Sequence, residues 1–114
     1  MAWQELRPNI VGSGQPFSGE LTEVAIAPLD TNVYCDIFIS NVSTTNSTKV
    51  RLAIKNYYEA LDSRHYILYD TEVVAQGMLI IPRIGLQSET QVLGYSDNGL
   101  AAFNVTGNTI INYA

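Results

Sequence analysis

Between Val33 and Val42 the side chains alternate position by position, and this alternation constrains the fold more than any other stretch. Val33, Cys35, Ile37 and Ile39 fall on one face, while Tyr34, Asp36, Phe38 and Ser40 fall on the other. Period two in a β-branched and aromatic run marks a half-buried strand, because successive Cβ atoms of a strand point to opposite sides. Wound as a helix, the same residues would scatter around the axis. Residues 48–58 repeat the pattern, with Val50, Leu52 and Ile54 on one side and Lys49, Arg51 and Lys55 on the other. One dry face and one wet face are what an antiparallel sheet asks of its strands.

The link between these strands, residues 43–48, is polar throughout. Closed as a hairpin, it sets Ile37 opposite Ile54 and Ile39 opposite Leu52 on the core side, with Asp36 opposite Lys55, Phe38 opposite Ala53 and Tyr34 opposite Tyr57 outside. A one-residue slip would turn every Ile and Leu outward, so the pattern predicts this register. A Greek-key connection, which puts the two strands in different sheets, is the alternative.

Residues 1–20 differ from the rest. Pro8, Gly12, Gly14, Pro16 and Gly19 interrupt any regular element, yet Trp3, Leu6, Ile10, Val11 and Phe17 are distributed among them. The composition predicts an extended N-terminal arm lying against the sandwich or, preferentially, a neighbouring chain. Removing residues 2–18 is then expected to leave a folded domain. Residues 21–114 read as that domain, with strands expected at 20–27, 33–42, 48–58, 65–74, 78–81, 91–95, 100–106 and 110–114. Pro82 is expected to end its strand, since proline donates nothing to a ladder. Asp97-Asn98-Gly99 has the chemistry of a hairpin turn, and residues 107–109 that of another turn. About eight short strands at this spacing predict an all-β, antiparallel β-sandwich of jelly-roll type.

Charge narrows the partners. Six basic residues against eleven acidic give a net charge of −5, the wrong sign for a nucleic-acid or anionic-membrane surface. The stripe of Lys49, Arg51 and Lys55 reads as a solvated face. Cys35 is the single cysteine and lies on the dry face, so no internal disulfide forms, and the chain is expected to be made in a cytoplasm. The opening residues lack the basic start and apolar run of a secretory signal, and the apolar window at 73–82 is too short to span a bilayer.

No motif announces catalysis. A hydrolytic triad would have to use His65, the one histidine, with Asp62 or Asp70 and Ser63, and nothing like a nucleophile elbow surrounds them. One histidine and one cysteine cannot furnish a usual zinc site. Neither Asp97-Asn98-Gly99 nor Asp70 with Glu72 has the spacing of a calcium loop. The chain is therefore expected to be no enzyme and to carry no metal or cofactor. What stands out is surface aromaticity: seven tyrosines in a chain with 15% charged residues. Flat amphipathic rings on outward strand faces suit interfaces. The partner-binding residues predicted are Trp3, Leu6, Ile10 and Phe17 in the arm, and Tyr34, Phe38 and Tyr57 on the strands.

The strand ending Ile39-Ser-Asn-Val42, the Ser/Thr-rich loop, residues 49–54 (Lys-Val-Arg-Leu-Ala-Ile) and residues 65–71 (His-Tyr-Ile-Leu-Tyr-Asp-Thr) are followed by an apolar strand, a glycine turn and a closing strand with Ala102-Phe103. In this order they resemble the small all-β virion structural proteins of tailed bacteriophages, over roughly two-thirds of the chain. The N-terminal segment and Pro82-Arg-Ile-Gly85 depart from that pattern. The resemblance implies a non-enzymatic virion component, either capsid decoration or a neck, tail or fibre attachment, present in many copies and bound to other virion proteins. A carbohydrate-binding sandwich whose tyrosines stack on sugar rings is the rival expectation.

Overall fold

A computed structural model describes the backbone of residues 3–113 and the side chains of residues 11–111. Among the described residues there are eight strands: β1 (Trp3–Gly14), β2 (Thr22–Ile26), β3 (Thr31–Asn41), β4 (Thr48–Asn56), β5 (Tyr66–Val73), β6 (Met78–Leu86), β7 (Thr90–Ser96) and β8 (Ala101–Tyr113). They form two four-stranded sheets, ordered β1-β8-β3-β6 and β2-β7-β4-β5, with every pairing antiparallel. This is the jelly roll that the strand count and turn spacing predict.

The alternation in β3 is realised as read. Val33, Ile37 and Ile39 are fully buried and Cys35 nearly so, while Tyr34 is exposed. The same holds for Val50 and Leu52 of β4. The hairpin, however, does not form. β3 pairs with β8 and β6, β4 pairs with β7 and β5, and Ile37 lies opposite Val105 and Ile81 instead of Ile54. The link after β3 crosses from one sheet to the other. It is tied down by the Asn41 amide, which donates to the carbonyls of Asn46 and Val73 at 2.8 and 3.0 Å, and by the Ser43 hydroxyl, which accepts from the backbone of Thr45 and Asn46. Asp36 accordingly meets the Arg83 amide and not Lys55, whose ammonium donates to carbonyls of Asn56, Tyr57 and Glu59.

Three other expectations change. The backbone of residues 3–14, expected as an arm, is an edge strand of the chain's own sandwich, paired along β8 from Trp3↔Tyr113 to Gly14↔Phe103. Truncating residues 2–18 would therefore strip one side of β8 of its ladder partner. Pro82 does not end β6. The register moves from Cys35↔Ile84 to Ile37↔Ile81, so Pro82 and Arg83 together face Asp36 in a bulge, with Arg83 at φ 60 and its N–H donated to Asp36 Oδ1 at 2.9 Å. An edge strand with a bulge is where a sheet tolerates proline. Residues 107–109 make no turn, since β8 runs through them. Gly99 does adopt positive φ, 75°, but the turn it closes passes between sheets and is not a hairpin.

The core lies between the sheets, with Phe103 of β8 its largest fully buried side chain. That ring fits against Gly94 of β7 in the opposite sheet, where a Cβ would stand 3.1 Å from three ring atoms. At the same end the buried hydroxyls of Thr48 and Ser96 share a 2.7 Å hydrogen bond.

Candidate interaction surfaces

The outer face of the β1-β8-β3-β6 sheet has two unlike ends, divided by the Asp36–Arg83 bulge. Toward the β3 C-terminus, Phe38 lies opposite Ile80, and Ser40 lies opposite Met78. Met78 and Ile80 are 54% and 51% exposed, and Phe38 is half-buried between them and β8. This end is apolar. At the other end Tyr34, 55% exposed, stands beside Gly85, with ring carbons that a Cβ there would meet at 3.7 Å. Asn108 of β8 lies on its other side, next to Gly107, where a side chain would collide with the Tyr34 carbonyl. Tyr34 thus rises between two depressions. One, of about 490 Å³, is lined by Asn32, Tyr34 and residues 85–88, and one of about 220 Å³ is lined on its far side by Asp36, Arg83, Thr106 and Asn108.

The outer face of the second sheet carries an ordered aromatic cluster. The Arg51 guanidinium sits 4.1 Å from the Tyr69 ring centroid and 4.4 Å from that of Tyr95, and its Nε donates to Asp70 at 2.7 Å. Such stacking positions a guanidinium and fixes the rings. The hydrogen bond from Arg51 holds the Asp70 carboxyl below its ordinary pKa and raises that of Arg51. Tyr66 meets Tyr69 edge to face at 5.0 Å, and both line a cleft of about 410 Å³ with Leu61, Asp62 and Ser63.

Of the seven predicted partner-binding residues, the four whose side chains are described, Phe17, Tyr34, Phe38 and Tyr57, do not gather at one place. The backbones of Trp3, Leu6 and Ile10 lie in β1 opposite Tyr113, Ile110 and Thr106, and their side chains lie outside the described residues. Phe17, 78% exposed, follows β1 in a segment fastened to the β7–β8 turn by Gln15 and Ser18. Tyr57 sits at the opposite end of β7, its N–H donated to the Glu89 carbonyl and its ring edge to face with Tyr58 at 5.2 Å. Tyr34 and Phe38 share a face, and by register Leu6 and Ile10 fall in the rows of Asn32 and Asp36 on that same sheet. Met78, Ile80 and the Arg51 cluster were not singled out from sequence. In the all-apolar run 78–81 periodicity cannot say which alternate set faces water, and the Arg51 cluster joins residues from three separate strands.

His65 ends a three-residue 3₁₀ turn (Ser63–His65) with a side chain only 8% exposed. Its Nδ1 accepts the Asp62 N–H at 3.0 Å, closing a capping box in which the Asp62 side chain accepts the Arg64 N–H. Among the described residues no group of three or more His, Cys, Asp or Glu gathers as a metal site requires. No described helix is long and apolar enough to cross a membrane.

No family model and no curated protein matches this chain. Among solved structures it is similar to a chain in the structure of infectious bursal disease virus, Gx strain. The identity is 7% and the TM-score 0.44, over 98% of this chain and 32% of that one, so this chain spans about a third of the other's length.

Proposed function

We propose that this chain is a non-enzymatic structural protein of a tailed-phage virion, docking to other virion proteins as capsid decoration or as a neck, tail or fibre attachment. The observation that carries the reading is the apolar end of the outer sheet face, where Phe38, Met78 and Ile80 stand on adjacent strands with more than half of the Met78 and Ile80 surface in water. Contiguous exposed apolar side chains on a flat strand face favour a partner that covers them. The patch is small, and a small interface serves when many copies bind together and avidity multiplies weak contacts. The resemblance carried by the run from about Val33 to the end of the chain supports the same reading.

The test is incorporation. Particles purified from cells that make the protein should contain it in many copies by mass spectrometry. Ile80→Asp should remove it from them while leaving its thermal unfolding near that of the wild type, because an exposed site costs folding little, within about 0.5 kcal/mol. A chain absent from the particles, or an aspartate variant incorporated as fully as the wild type, overturns the proposal.

A further inference from the structure

We propose that Tyr34 is the stacking platform of a binding site for neutral oligosaccharide, at the polar end of the outer β1-β8-β3-β6 face. This goes beyond the docking role above and is independent of it. The ring is more than half exposed; Gly85 on the β6 side leaves that flank of it clear of a side chain, and Asn108 of β8 stands on the other. The larger depression, about 490 Å³, reaches the size of small-molecule sites, and the smaller extends it past the ring. Their chemistry is that of hydroxyl recognition. Asn32, Gln87 and Asn108 carry amides that donate and accept, and Ser88 and Thr106 add hydroxyls. A pyranose presents the complement, an apolar C–H face for the ring and a rim of hydroxyls for the amides.

Charge selects against other ligands. The formal charges along the site are Asp36 and Arg83, one of each sign, which leaves no net field for an acidic sugar or a phosphate. A protein partner would be served better by the apolar end beyond the bulge. Two depressions flanking one ring fit consecutive sugar units, with the central unit stacked on Tyr34.

The experiment is a titration of the ¹⁵N-labelled full chain with maltotriose, cellotriose and triacetylchitotriose, each to about 20 mM, a range that reaches the millimolar affinities of an open site. At least one should shift, saturably, the side-chain amides of Asn32, Gln87 and Asn108 and the backbone amides of Gly85 and Gly107. Tyr34→Ala should weaken that binding about tenfold or more, and Tyr34→Phe should retain it. Gly85→Val, which fills the floor beside the ring and suits a strand, should abolish binding with Tyr34 still in place, so it decides the matter should the alanine variant fail to fold. The proposal is overturned if none of the three sugars moves these signals, if the shifts gather on Tyr66 and Tyr69 instead, or if Gly85→Val binds like the wild type.

Discussion

Gly94→Ala tests how tightly the two sheets are fitted. The new Cβ would stand 3.1 Å from Cδ1, Cε1 and Cζ of Phe103, tighter than nearly all real Cβ contacts, so the ring would have to retreat by a few tenths of an ångström. It has little room to do so, since Phe103 is fully buried. Overpacking of this kind costs about 1–3 kcal/mol. Restricting the unfolded chain returns about 0.4–1 kcal/mol. The net loss is then about 0.5–2 kcal/mol, which in a chain of this size lowers the midpoint by about 2–8 °C. Urea unfolding followed by circular dichroism measures the loss directly, and a double-mutant cycle assigns it. In a Phe103→Leu background the ring atoms that oppose the methyl are gone and the overpacking with them, so the alanine should become neutral to slightly stabilising, a coupling of about 1–3 kcal/mol. If Gly94→Ala is as stable as the wild type, or if the two substitutions simply add, the sheets do not meet at this contact.

Two further predictions concern ionisation. Burial, reinforced by the charge of Asp36, pushes the Cys35 thiol from 9.0 to about 11, and the thiol donates to the Ile84 carbonyl at 3.5 Å. A thiol held protonated is inert. Iodoacetamide should leave the native protein unlabelled at neutral pH over a period that fully labels the urea-unfolded chain; equal rates refute the burial argument. By linkage the raised value stabilises the fold fully below the ordinary thiol pKa, and that contribution fades as pH climbs from 9.0 toward about 11. Asp70 is the opposite case, its carboxyl held low by the Arg51 hydrogen bond. Its contribution is present above the ordinary carboxylate pKa and disappears as pH falls through the lower folded value. The stability difference between wild type and Asp70→Asn should therefore shrink on acidification, and a difference constant with pH would refute the pairing.

The sequence by itself determined the faces. Alternation in β3 and β4 named Val33, Ile37, Ile39, Val50 and Leu52 as interior, and they are fully buried, because a strand's two-residue repeat is a local property of the backbone. It also placed a turn at Gly99, where positive φ occurs. Pairing was a different matter. Among the described strands β4 and β5 are the sole sequence neighbours that lie side by side, and every other connection between them crosses between sheets. A hairpin between β3 and β4 and the jelly roll bury the same side chains, so hydrophobic pattern does not distinguish them. The choice rests on long-range fit, such as Phe103 against Gly94, the Asn41 amide reaching the Val73 carbonyl, and Asp36 holding the bulge at Arg83. The surfaces followed from that choice: Tyr34 stands between two depressions, and Met78 and Ile80 flank Phe38, because β3 lies between β8 and β6. Local chemistry set which way each side chain points, and only the closing of the two sheets decided what it stands beside.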